Sequence, residues 1–132
     1  MRESIHKYFK VGTIQFMSYA GHDVLESIRK IACDDYFDAI EVTRFDDDET
    51  REKARRMLEQ SGLEVCFGAQ PILLGTKLNP NDIDEEGRKA AEAVLIEAVD
   101  EAEYLGAKGI AFLAGKWHEE TKDLAYAQLL KT

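Results

Sequence analysis

The sequence predicts an α/β fold: four successive β-α units with parallel strands. Three observations carry this. The chain has 132 residues, 45% of them hydrophobic and 33% charged, a globular balance at a length suited to one domain spanning 1–132. Short β-rich runs alternate four times with runs of helical periodicity, and strict alternation implies a parallel sheet with right-handed crossovers. Finally, each strand separates large apolar residues from small or polar ones by parity.

The first strand is expected over Val11 to Met17, before a helix from His22 to Ala32 with Val24, Leu25, Ile28, Ile31 and Ala32 at helical spacing. Phe37 to Thr43 is the second strand. Asp46-Asp47-Asp48 leads into a helix over Glu49 to Gln60 with a stripe of Ala54, Met57 and Leu58, closed by Gly62. Leu63 to Gly68 is the third strand. A polar loop from Ala69 to Ile83, holding Pro71 and Pro80, precedes the longest helix, Asp84 to about Leu105. Its face is Ala91, Val94, Leu95, Ala98, Val99, Ala102 and Leu105, and Gly106 ends it. Lys108 to Ala114 is the fourth strand. His118 or Glu119 opens a fourth helix with Leu124, Ala127 and Leu130 apolar.

Two architectures fit: a small doubly wound sheet, or a segment of a (βα)8 barrel. Parity decides between them. Ile14 and Phe16, Ile40 and Val42, Val65 and Phe67, and Ile110 and Phe112 would lie under helices. The other face holds Thr13, Gln15, Glu41, Thr43, Glu64, Cys66 and Gly68, with Gly109, Ala111 and Leu113. A doubly wound sheet needs apolar residues on both faces, whereas one small, polar face suits a barrel interior leading to a site. The expectation is a (βα)4 segment, half of a TIM barrel.

Composition excludes several function classes. Seventeen Lys+Arg against 26 Asp+Glu give a net charge of −9, which repels a polyanion and argues against nucleic acid. The basic cluster Arg51, Lys53, Arg55, Arg56 is interleaved with Glu49, Glu52 and Glu59, as on a solvated helix face. No apolar run approaches the ~20 residues that span a bilayer, and the N-terminus is too polar for a secretory signal. Cys33 and Cys66 are read as reduced thiols, and the protein as cytoplasmic. The spacings GxGxxG and GxxxxGK[ST] are both missing. Neither cysteine has a His and an acid placed to activate it as a nucleophile.

Barrel sites form at the C-terminal strand ends. Glu41 is the leading candidate there: a carboxylate facing a barrel interior is costly unless paired, hydrogen-bonded or used. It could bind a substrate hydroxyl or carry a proton, or it could be structural, bonded to Thr13, Gln15 or Thr43. His22 and His118 with Asp23 and Glu119 could form a mixed N/O metal site, or be exposed loop and capping residues; their spacing matches no metal motif. Trp117 could stack on a sugar face or close the rim, and Phe16 and Tyr19 admit the same two roles. Glu64 is read as structural and His6 as a surface residue. The loop after the third strand could be a lid or plain surface.

The stretches KVGTIQFMSY (Lys10 to Tyr19), FDAIEV (Phe37 to Val42) and Arg88, Ala91, Ala98, Ala102 with Leu105-Gly106-Ala107 and IAFLAG (Ile110 to Gly115) resemble, in order and spacing, the xylose-isomerase-like TIM-barrel family. That family includes sugar-phosphate isomerases and epimerases. The resemblance covers its first four β-α units, so the chain is expected to be an N-terminal half, truncated after the fourth. It implies proton transfer next to a carbonyl of a small sugar or sugar phosphate, assisted by a divalent metal whose ligands in the family lie on later strands. Glu41 would then be catalytic, and Gln15, His22, Trp117 and His118 would bind substrate. The alternative is a non-catalytic half-barrel whose open strand edges make it a homo-oligomer or an accessory binding module. An endonuclease-IV-like DNA-repair protein is a third possibility, opposed by the net charge.

Overall fold

A computed structural model describes residues 5–132. It shows an α/β fold with a four-stranded parallel sheet in the order β1-β2-β3-β4. The chain divides into two compact units: residues up to Gly68 with Glu101–Ile110, and Ala69–Asp100 with Ala111–Thr132.

In the first unit, β1 is Gly12–Ile14 and is followed at once by one helical turn, α1, Gln15–Ser18. The longer strand expected to Met17 therefore stops at Ile14. Gln15 leaves the extended run because its amide is taken up by α2: Nε2 donates to Ser27 Oγ at 2.7 Å, and Gln15 is only 5% exposed. Helix α2, Val24–Ala32, starts where Asp23 accepts the Glu26 N–H at 2.8 Å. It buries Ile28 and Ile31.

Strand β2 is Ala39–Val42, and Ile40 and Val42 are fully buried, as their parity requires. Helix α3, Asp48–Ser61, is capped by Asp47, which accepts from Thr50 N at 2.8 Å. It ends at Gly62, whose φ of 72° a side chain would strain. Ala54 and Leu58 are its buried stripe. Its outer face carries the expected ladder of pairs: Lys53–Glu49, Arg55–Glu52, Arg55–Glu59 and Arg56–Glu52. Strand β3, Glu64–Gly68, buries Val65 and Phe67. Complete burial of each such side chain contributes about 1.5–3 kcal/mol.

In the second unit, the stretch expected to be a loop contains helix α4, Gln70–Thr76. Pro71 near its start costs no internal hydrogen bond, Leu73 is buried, and Lys77 closes it in the left-handed region at φ 59°. Helix α5, Glu85–Tyr104, contributes its first sixteen residues here and its last turn to the first unit. Ala91, Leu95 and Ala98 are buried, but Val99 is exposed. Strand β4 is just Ile110–Ala111, shorter than Lys108 to Ala114 because residues 112–118 run on without ladder pairing. After a 3-10 turn, Glu119–Thr121, comes α6, Lys122–Leu129.

The inward face of α6 differs from expectation. It buries Ala125 and Gln128, while Leu124 and Leu130 are exposed. A polar network makes the difference: Arg88, buried on α5, binds Glu85, Glu92 and Thr132 Oγ1, and Gln128 Nε2 donates to Glu85 Oε2 at 3.2 Å. A buried arginine needs these acceptors, and satisfying them sets the rotation of α6.

Candidate functional site

Strand register builds the site in the first unit. Ile14 pairs with Glu41, and Glu41 with Cys66, so these three side chains share one face of the sheet. Thr13 pairs with Ile40, and Ile40 with Val65, on the helix-covered face. This corrects the sequence parity of β1, which put Ile14 with Ile40 and Thr13 with Glu41. It also corrects Gln15, expected to face the interior beside Glu41. Gln15 is buried and spends its amide on Ser27.

Glu41 is half-buried, and its Oε1 is closed to solvent with no hydrogen-bond partner among the described residues. The three side chains expected to satisfy it are engaged elsewhere. Thr13 shares a 2.6 Å hydrogen bond with Ser18, Gln15 donates to Ser27, and Thr43 Oγ1 donates to the Gly68 carbonyl at 2.7 Å. An unmatched carboxylate oxygen shut away from water is costly in any fold. No hydrogen bond from the described residues to Oε1 holds the carboxylate there, so a side-chain rotation toward the sheet face would let it accept a ligand hydroxyl or take a proton.

Beside it, burial pushes the Cys66 thiol up, and the charges of Glu64 and Glu41 push it further. Both effects disfavour the thiolate, the nucleophilic form of cysteine. Both cysteines are free thiols. Glu64 itself is ion-paired with Lys10, the structural role expected of it.

His6 is not the surface residue the sequence suggested. Its Nδ1 lies 2.5 Å from Asp38 Oδ2, its side chain is 11% exposed, and its ring meets Tyr36 edge-on. Its Nε2 is buried and has no hydrogen-bond partner among the described residues. The partners stand 32 positions apart, so no local spacing announces the contact.

The remaining sequence candidates divide between the units. His22 is exposed in the first, its ring edge-on to Tyr19. Trp117, in the second, is 70% exposed. His118 lines a cavity of about 250 Å³ with Asn79, Asn81, Asp82, Lys116 and Thr121. The carboxylates that could join the histidines on a metal have other work. Asp23 caps α2, and Glu119 is paired with Lys122. Among the described residues no group of three or more His, Cys, Asp and Glu is set to hold a metal ion. The described side chains therefore do not fit the divalent metal that the family resemblance implies.

No family model matches the chain, and no curated protein matches it. Among the described residues no helix is long and apolar enough to cross a membrane.

Proposed function

We propose that the chain binds a small sugar or sugar phosphate at the sheet face of the first unit, for isomerase or epimerase chemistry. The reading is supported by one observation above all: the Glu41 carboxylate has an oxygen shielded from water and without a hydrogen-bond partner among the described residues. In this reading the Glu41 carboxylate turns to face the substrate and takes the proton from the carbon next to the carbonyl. The C–H electron pair moves into an enediolate. Glu41 returns the proton to the former carbonyl carbon while a hydroxyl proton passes between the two enediolate oxygens, which leaves the carbonyl on the neighbouring carbon.

The test follows deuterium uptake from D2O at that carbon by proton NMR. The panel is aldoses, ketoses and their phosphates, with and without added Mg2+ or Mn2+. Exchange by the native chain, lowered at least about 100-fold in Glu41→Gln, is the expected result. Exchange at the native rate in Glu41→Gln, or neither exchange nor binding with any member of the panel, overturns the proposal.

A second reading is non-catalytic: a half-barrel that pairs with another copy of itself. It is favoured by the sheet order, which leaves β1 and β4 as edge strands, and by exposed Ile96, Val99 and Phe112 around a cavity of about 270 Å³ in the second unit. Sedimentation equilibrium separates the two. A dimer lacking any exchange activity supports the second reading, and a monomer at all concentrations eliminates it.

A further inference from the structure

The second unit holds another cavity, about 300 Å³, unconnected with the chemistry of Glu41. Its walls are Leu73, Leu74 and Leu78 after β3, and Leu113 with Ala114 and Gly115 after β4. Its polar side is Lys77, Lys116 and Asn79. The volume falls at the lower end of the range for small-molecule sites, and a mostly apolar wall with a few convergent polar groups is their usual composition.

Charge identifies the occupant. In a chain with 26 acidic and 17 basic residues, cations readily find partners, and most described lysines and arginines are in ion pairs. Lys77 and Lys116 have no ion pair among the described residues, yet they flank the same cavity. Beside them Leu74 is 65% exposed and Leu113 is 43% exposed, an apolar surface left open next to two unspent positive charges.

The pocket is also held in shape. Asn81 Nδ2 donates to the Lys116 carbonyl at 2.7 Å. Gly115 has φ 120°, and a Cβ there would come within 1.8 Å of Asn81 Oδ1. Lys77 is fixed by the left-handed end of α4, where its N–H reaches the Leu74 carbonyl at 3.3 Å. The cations are thus mounted on restrained backbone, which lowers the ordering cost of binding.

We infer that this cavity binds a small amphipathic anion, an apolar chain or ring ending in a carboxylate, with the tail on the leucines and the carboxylate between Lys77 and Lys116. A simple phosphate or sugar would leave the leucines wet, and a neutral lipid would leave the lysines unmatched.

Octanoate is the probe, titrated below its micellar range at low salt into the full chain and followed by methyl and amide NMR shifts. Saturable 1:1 binding is expected, with shifts at Leu73, Leu74, Leu78 and Leu113. Octanol should bind at least tenfold more weakly, and Lys77→Gln/Lys116→Gln should weaken octanoate about tenfold while circular dichroism stays native. Equal affinity for octanol and octanoate, or no loss in the double variant, overturns the inference. So does shift saturation with anionic phospholipid vesicles but not with monomeric octanoate, which would make the patch a membrane contact. Deuterium uptake at the sugar carbon is a separate readout, and either result can stand without the other.

Discussion

Arg51 donates its Nε–H to both carboxylate oxygens of Glu101, at 2.9 and 2.7 Å, across fifty positions of sequence. Its guanidinium also lies 3.5 Å from the centre of the Tyr104 ring. Within the first unit this joins α3 to the last turn of α5. The basic run in α3 is therefore not uniformly a solvated face: Arg51 is drawn out of the i,i+4 ladder by a carboxylate that is largely buried.

Removing one partner leaves the other charge poorly solvated, which costs more than the pair itself contributes. Arg51→Ala should lower unfolding free energy by about 2 kcal/mol, combining that loss with the lost stacking on Tyr104. Arg51→Ala/Glu101→Leu should recover part of it. Urea denaturation of the three proteins measures the coupling, and strict additivity would show that the contact is energetically idle.

The acid limb of stability should report Glu52. Hydrogen bonds from Tyr104, Arg55 and Arg56 lower its pKa from 4.5 to about 2. A carboxyl that titrates lower in the folded chain than in the unfolded one stabilises fully above the unfolded value, and that support disappears as pH falls through the folded one. Glu85, lowered to about 2 by Arg88 and then Gln128, acts in the same direction. Melting temperature should therefore fall between pH 4.5 and 2. Glu52→Gln should have a shallower slope over that interval, and a slope identical to the native chain would contradict the assignment.

Gln15 and Glu41 should separate stability from binding. Gln15→Ala removes the buried bond to Ser27 and leaves a cavity, while Ser27 Oγ keeps its donation to the Val24 carbonyl, so it should cost about 1–3 kcal/mol. It should leave any sugar affinity unchanged, since Gln15 is turned toward α2. A loss of affinity in folded Gln15→Ala, seen by calorimetric titration, would restore it to the site.

Gly115→Ala places a side chain at φ 120° and against Asn81. The expected cost is about 1–3 kcal/mol, from strain that only glycine avoids. Asn81→Ala/Gly115→Ala removes the clash and keeps the strain, so it should recover only part of the loss. Full recovery, read from denaturation midpoints, would show that the backbone angle carries no penalty.

The order of elements was legible in the sequence because it rests on local rules. Asp23 and Asp47 cap helices, Gly62 ends one, and Ile40, Val42, Val65 and Phe67 are buried as alternation requires. The stretch from Ala69 misled because its two prolines and polar residues outweigh a seven-residue helix held by one buried leucine. Glu41 could be singled out from composition alone, since a carboxylate amid β-strand residues is conspicuous. That its expected partners are all occupied could not be read there.

What the sequence by itself determined, then, was periodicity: which stretches extend, which coil, and which faces are apolar. The tertiary structure alone decided where long side chains spend their polar atoms. Gln15 turns to Ser27, Arg51 to Glu101, His6 to Asp38, and Gln128 inward in place of Leu124. The physical reason is the same in each case. Hydrophobic burial follows a local repeat, but a buried donor or acceptor must find its match wherever the chain brings one, and that partner is set by register and packing rather than by spacing along the chain.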